Sequence, residues 1–224
     1  MTAWPAACLF DMDGTLLESH ENVERAWTTW AQRRGIDAAE LLEHAHGLPA
    51  EVTVARWLPE ANDDEIAAAA NEQLALQYDD VTGITPVPGA LELLEFLTET
   101  GFPWAVHTSA DERLARTRLE AAGIDPPVLV TRDQLQRGKP APDGYLRAAE
   151  LLGVESSGCV VVEDTEVGIE SGRAAGMQTV GVRGVAGDLP LGSLPELHLW
   201  LVVASAPSGS DAPGSAFPFP FPMT

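Results

Sequence analysis

Two carboxylates, Asp11 and Asp13, follow an apolar run at 6–10, and Gly14 comes directly after them. The run is typical of a strand buried on both faces, and its end in charge places both acids at the carboxyl edge of a sheet. One carboxylate there can act as a nucleophile that forms an aspartyl-phosphate, while the other transfers protons. Their oxygens also suit Mg²⁺. An acidic helix N-cap after a strand gives the same short pattern, so residues farther along the chain are needed to distinguish a functional pair of acids from a helix cap.

Two further predicted strands also end in polar side chains. The second strand closes in Thr108 and Ser109, the fourth closes in Glu163 and Asp164, and Lys139 lies on a loop between them. The carboxyl ends of parallel strands share one edge of a sheet, so we expect these residues to converge with the first pair of acids. Hydroxyl donors, an ammonium and acids that hold a divalent metal are what phosphoryl transfer requires.

Lys139 is the only lysine among 13 basic residues, and it stands between Gly138 and Pro140. A lysine on a solvated surface needs no such neighbours. A compact ammonium in this position therefore predicts a functional role.

The elements that must position these residues fall into two groups. Helices are predicted at 21–35, 38–46, 51–58 and 63–78. They form an inserted helical domain at 17–86, called the insert below. The remainder alternates strands and helices, which predicts an α/β core with a doubly wound, Rossmann-like parallel sheet at 1–16 and 87–203. The Pro/Ser/Gly-rich stretch at 204–224 predicts a disordered tail, or one whose Phe-Pro repeats dock on a partner.

The composition limits the partners and the compartment. The chain has 224 residues, 45% of them hydrophobic, and a net charge of −21, which disfavours nucleic acid and repels a phosphorylated substrate at long range. No apolar run has transmembrane length and no leader is evident. Cys8 and Cys159 fall in predicted buried strands, as in a reducing compartment. We expect a cytoplasmic protein without membrane contact, as a monomer or weak dimer.

Four short motifs resemble those of the haloacid dehalogenase-like (HAD) superfamily: Asp11-Met12-Asp13-Gly14-Thr15, Thr108-Ser109, Lys139-Pro140 and Glu163-Asp164. The resemblance covers about residues 6–185 and implies the HAD fold, with the insert as a helical cap that closes over the site.

The resemblance also implies a role for each motif residue. Asp11 would be the nucleophile and Asp13 the general acid/base, while Thr108 with Ser109 and Lys139 would bind the phosphate. The implied Mg²⁺ ligands are Asp11, the Asp13 carbonyl and Asp164. Glu163 would be either a further metal ligand or an acid that supports the metal site.

Further segments resemble the sugar-phosphatase branch, which includes hexose-phosphate and 2-deoxyglucose-6-phosphate phosphatases: 23–27, 46–47, 83–85 with 88–90, 103–105 and 137–140. The branch implies a phosphatase acting on small sugar or polyol phosphates, with His46 and Gly47 touching the substrate. His46 packed between helices of the insert is the alternative. Leu48 departs from the branch, whose members often carry a basic residue there.

Other functions fit parts of the pattern. A phosphosugar mutase of the same fold would use the same motifs, whereas a phosphonatase would need a lysine in the insert, where none is present. A dehalogenase does not need Asp13. A non-enzymatic phospho-acceptor switch would have no reason for a helical insert directly after its first strand.

Overall fold

A computed structural model describes residues 5–45, 50–78 and 80–205, with only the backbone of the last two residues. The strands are Ala7–Phe10 (β1), Leu17–Glu18 (β2), Thr85–Pro86 (β3), Trp104–His107 (β4), Leu129–Val130 (β5), Cys159–Glu163 (β6) and Gln178–Gly181 (β7). The α-helices are His20–Arg34 (α1), Ala38–Ala45 (α2), Ala50–Trp57 (α3), Asp63–Tyr78 (α4), Ala90–Glu99 (α5), Glu112–Ala121 (α6), Asp143–Leu152 (α7), Glu166–Ala174 (α8) and Leu194–Ser205 (α9).

Five of the strands form a parallel sheet in the order β5-β4-β1-β6-β7. The chain runs from β1 toward β4 on one side and from β6 toward β7 on the other. The direction therefore changes between β1 and β6, which are neighbours with Phe10 opposite Val162. Ligands of doubly wound folds bind beyond the carboxyl ends of strands at such a point. The predicted fold class is confirmed.

Both faces of β1 are buried, which explains its unbroken apolar sequence. Cys8 and Phe10 point into an apolar cluster with side chains of α5, α6 and α9. Ala7 and Leu9 point into a second cluster with side chains of α7. Cys8 and Cys159 are buried free thiols, as predicted.

The insert has its own apolar cluster around Trp27 and Trp30, whose rings meet edge to face at 5.4 Å. The Trp30 indole donates a hydrogen bond to the carbonyl of Ala69 at 2.9 Å, which ties α1 to α4. These tryptophans therefore pack the interior of the insert. The division of the chain into domains at 17 and 86 remains a prediction.

The structure has two short strands within 17–86, where none was predicted. β2 and β3 pair antiparallel, with Leu17 opposite Pro86 and Glu18 opposite Thr85. A periodicity of two cannot be recognised in strands of two residues, so this pairing has no sequence signal.

Helix α9 was not predicted either. Leu194, Leu197 and Leu201 are buried, but Leu199 and Val202 on its other side are exposed and equally apolar. The apolar residues of this segment are therefore not confined to one helical face, and the sequence shows no clear helical periodicity. Residues 206–224, nearly all of the predicted tail, lie outside the described residues. Within the described ranges, no helix combines the length and apolarity needed to cross a membrane.

Candidate active site

Asp11 directly follows β1 and is held by the sheet. Its amide donates to the carbonyl of Val162 at 2.9 Å, which extends the ladder with β6 by one residue. The turn that follows needs Gly14, which has a φ of +84°. A Cβ on this glycine would stand 2.0 Å from an oxygen of Asp164, so the close approach of the two strand ends requires glycine.

Lys139 lies between two carboxylates. Its Nζ donates to Asp11 Oδ1, to Glu163 Oε1 at 2.6 Å and to the His107 carbonyl at 3.4 Å, and its side chain is only 6% exposed. Burial alone would lower the pKa of the ammonium, but the carboxylates of Asp11 and Glu163 outweigh burial and raise it. Lys139 is therefore a fixed positive charge beside the carboxylate of Asp11.

Glu163 is fully buried, and both of its oxygens accept hydrogen bonds from the protein. Oε1 accepts from Lys139 and from the hydroxyl of Tyr145 at 2.8 Å, and Oε2 accepts from the hydroxyl of Thr165 at 3.1 Å. Burial, followed by the charge of Glu163, raises the pKa of Tyr145, so this hydroxyl stays protonated and donates. Of its two predicted roles, these contacts favour the acid that supports the metal site, and they show in addition that Glu163 orients Lys139.

Carboxylate oxygens of Asp11, Glu163 and Asp164 lie within 4.8 Å of one another. Burial raises the pKa of Asp11 well above its usual value, with Lys139 opposing the shift. Burial and the neighbouring Glu163 raise the pKa of Asp164 to about 6. These three acids lie together, and hard carboxylate oxygens are ligands that Mg²⁺ accepts. The residues present fit the predicted metal.

The predicted phosphate-binding hydroxyls lie at the same edge. Thr108 is buried at the end of β4, and its Oγ1 accepts a hydrogen bond from the amide of Ala110 at 3.1 Å, whereas Ser109 is exposed. Lys139 contacts the carbonyl just before Thr108, which brings this strand end next to Asp11. The predicted substrate residues His46 and Gly47 lie outside the described residues.

Asp13 lies on the turn after β1, with a side chain 29% exposed. Its Oδ1 accepts a hydrogen bond from Nη1 of Arg118 at 2.8 Å. Arg118 was not among the predicted site residues, although a signal was present. Arg118 occupies the buried stripe of α6 beside Ala115 and Leu119, where a charged residue needs a partner.

Tyr145 was also missed. It lies on the apolar face of α7 and reads as a core residue, and only the folded chain reveals that its hydroxyl meets Glu163.

Comparison with known proteins gives the same assignment as the motifs. The model of the "haloacid dehalogenase-like hydrolase" family matches residues 5–176. Hexitol phosphatase A of Escherichia coli (strain K12) is 40% identical over 209 residues, which are 90% of this chain and 95% of that protein. 2-Deoxyglucose-6-phosphate phosphatase 1 of Saccharomyces cerevisiae is 35% identical over 196 residues, which are 78% of each chain.

A solved structure has the same fold. The HAD family hydrolase of Deinococcus radiodurans R1, solved with bound phosphate and sodium, superposes with a TM-score of 0.67 at 27% identity. The superposition covers 90% of this chain and 97% of that one. The predicted resemblance to the superfamily and to its sugar phosphatases is confirmed. The protein belongs to the haloacid dehalogenase-like hydrolase family and is an enzyme.

Proposed function

We propose that the protein is a Mg²⁺-dependent phosphatase of small sugar or polyol phosphates, acting through an aspartyl-phosphate on Asp11. The observation that carries this proposal is the group formed by Asp11, Lys139, Glu163 and Asp164 at one sheet edge. Two phosphatases that are similar to most of this chain act, by their names, on a hexitol and a deoxyhexose phosphate. Their common substrate chemistry supports a phosphorylated polyhydroxy compound here.

In the first step, an oxygen of Asp11 forms a bond to phosphorus and the ester bond to the sugar oxygen breaks. Asp13 gives its proton to that departing oxygen. In the second step Asp13 takes a proton from water, the water oxygen bonds to phosphorus, and the bond between Asp11 and phosphorus breaks. The products are the free alcohol and inorganic phosphate.

The other site residues hold the reactants in place. Lys139 offsets the negative charge of Asp11 and of the approaching phosphate, and Glu163 holds Lys139 in position. The strand end at Thr108 offers a hydroxyl to the phosphate oxygens. Asp11, Asp164 and the Asp13 carbonyl would hold Mg²⁺, which when bound neutralises charge between nucleophile and phosphate.

The test is release of phosphate from hexitol, hexose, 2-deoxyhexose, pentose and nucleotide monophosphates, with Mg²⁺ and with EDTA. We expect metal-dependent release that favours the sugar and polyol esters. The Asp11→Asn variant should lose this activity, whereas Asp125→Asn, in an exposed loop, should retain it.

Three results would contradict the proposal. Parental turnover by Asp11→Asn would remove the aspartyl-phosphate. Conversion of one sugar phosphate into an isomer without release of phosphate would indicate a mutase. A stable phosphoprotein without turnover would indicate a phospho-acceptor switch.

The expectations of a monomer or weak dimer, of no nucleic-acid partner and of a cytoplasmic location remain predictions.

A further inference from the structure

A buried arginine joins the proposed acid/base to the insert. Arg118 lies on α6 of the core, and its side chain is 6% exposed. Its Nη1 donates to Asp13 Oδ1 at 2.8 Å. Its Nη2 donates to Asn22 Oδ1 at 3.1 Å and to Gln77 Oε1 at 2.5 Å. Asn22 belongs to α1 and Gln77 to α4, so one guanidinium contacts Asp13 and two helices of the insert.

Because Arg118 is charged and buried, its contact with Asp13 fixes how the Asp13 carboxylate is oriented. A buried guanidinium is costly unless a carboxylate and further acceptors compensate it. Asp13 supplies the carboxylate, while the two partners in the insert are neutral amides. The pair therefore favours one orientation of the Asp13 carboxylate, with Oδ1 on Arg118 and Oδ2 left for other partners.

The amides on the insert are held in turn. The side-chain nitrogen of Gln77 donates to Gln73 Oε1 at 2.9 Å within α4, which leaves Gln77 Oε1 directed at Arg118. Asn22 donates its own nitrogen to the carbonyl of Asp80 at 2.5 Å, next to the chain's return to the core. The acceptors for Nη2 are thus fixed by the insert's own structure.

We propose that Arg118 is a positioning residue that sets the orientation of the Asp13 carboxylate according to the placement of the insert. Proton transfer requires Oδ2 of Asp13 to face the ester oxygen, and small displacements of a catalytic group reduce rates strongly. When α1 and α4 hold Nη2, the rigid guanidinium presents Nη1 to Asp13 in one direction. This inference rests on the proposed function, in which Asp13 moves the protons.

The test compares two phosphate esters, because only one of them needs a proton donor. Sorbitol 6-phosphate releases an alkoxide that must be protonated, whereas 4-nitrophenyl phosphate releases a stable phenolate. We expect Arg118→Met to lower kcat for sorbitol 6-phosphate by about 100-fold. KM should change less than about threefold, because the contact acts after binding. The pre-steady-state burst of 4-nitrophenolate should be retained.

Two more variants complete the design. Gln77→Met preserves the shape of the insert and both charges but removes one acceptor, and it should reduce kcat for the sorbitol ester by about tenfold with the same retention of the burst. Arg116→Met is the matched control, since Arg116 is 66% exposed on the same helix and pairs with Glu112. It should behave as the parent enzyme.

Loss of the 4-nitrophenolate burst in Arg118→Met, together with the loss of sorbitol ester turnover, would overturn the inference, because it indicates a general structural defect and not a misdirected Asp13. If Arg118→Met does not fold, Gln77→Met decides, and unchanged turnover of the sorbitol ester in that variant would overturn the inference. A parent enzyme that releases phosphate from neither ester would instead refute the proposed function, and the inference with it.

Discussion

Lys139 shows how one side chain determines the chemistry of its neighbours. Its ammonium contacts Asp11 and Glu163 at a buried position, and neither a neutral side chain nor a planar guanidinium can replace that geometry. We expect Lys139→Met and Lys139→Arg each to lower kcat by about 100-fold or more. Steady-state kinetics on the best sugar phosphate measures this loss.

Arg137→Met is the control for both Lys139 variants. Arg137 is two residues away, 70% exposed and paired with Asp143 outside the site, so its loss should leave kcat unchanged. Full turnover by Lys139→Arg would contradict the role given to the ammonium.

His107 gives the protein a titration that affects stability. Burial, and then the charge of Lys139, lower its pKa to about 3. In the unfolded chain its pKa is about 6.5. The unfolded state therefore binds one more proton between these two values, so the free energy of unfolding falls as pH drops from about 6.5 toward 3.

The variant His107→Gln lacks this titration. Urea unfolding at pH 7.5 and at pH 5.0 should show a larger loss of stability for the parent than for the variant. The remaining histidines are present in both proteins and cancel in the comparison. Equal losses would mean that His107 is already protonated in the fold.

The sequence was most informative about residues that end strands. Asp11, Lys139, Glu163 and Asp164 were predicted to converge because parallel strands share an edge, and the structure brings them together. Residues on helices could not be placed in this way. Whether Arg118 or Tyr145 faces the site depends on how α6 and α7 rotate against the sheet, and one helical turn of sequence does not determine that rotation.

At the scale of elements, the site depends on how closely α8 approaches β6. A Cβ on Gly168 would lie 1.8 Å from the carboxyl carbon of Glu163. Alanine is the better helix former by about 1 kcal/mol. Overpacking costs about 1–3 kcal/mol and here would also displace the acid that orients Lys139, so it should prevail. We expect Gly168→Ala to be less stable and less active, as measured by urea unfolding and phosphate release.

Gly192→Ala is the matched control, because the nearest atom to its added Cβ is a flexible Glu196 oxygen at 3.9 Å. It should change neither property. Parental activity and stability of Gly168→Ala would contradict this prediction, because they would show that α8 and β6 accommodate the added methyl group.

Strong elements were predicted and weak ones were not. The helix predicted at 63–78 is Asp63–Tyr78, and the other predicted helices agree within one residue at each end. Their stripes of apolar residues and terminal glycines provide the signal, as at Gly35, which ends α1 with a φ of +66°. Strands β2 and β3 have only their mutual pairing to define them, which is a tertiary property.

The whole molecule carries a charge of −21, and its substrate is proposed to be an anion. Repulsion should slow their encounter, and salt screens repulsion. We expect kcat/KM for a sugar phosphate to rise between ~10 mM and ~150 mM ionic strength, over which the Debye length falls from about 30 to about 8 Å. Initial rates at saturating Mg²⁺ measure the trend, and sodium and tetramethylammonium chloride should give the same curve. A falling curve would show that local cations dominate the field.

The pairing of β2 with β3 has a consequence for how the chain folds. The amide of Val87 donates a hydrogen bond to the carbonyl of Leu16 at 2.9 Å, so these two residues are neighbours in the structure although they are far apart in sequence. Once β2 and β3 have paired, the conformational entropy of closing the chain between them has already been lost. Pairing β4 and β6 with β1 then costs no more loop-closure entropy than if a short turn replaced the insert. We therefore expect that the insert can unfold and refold while the sheet stays intact.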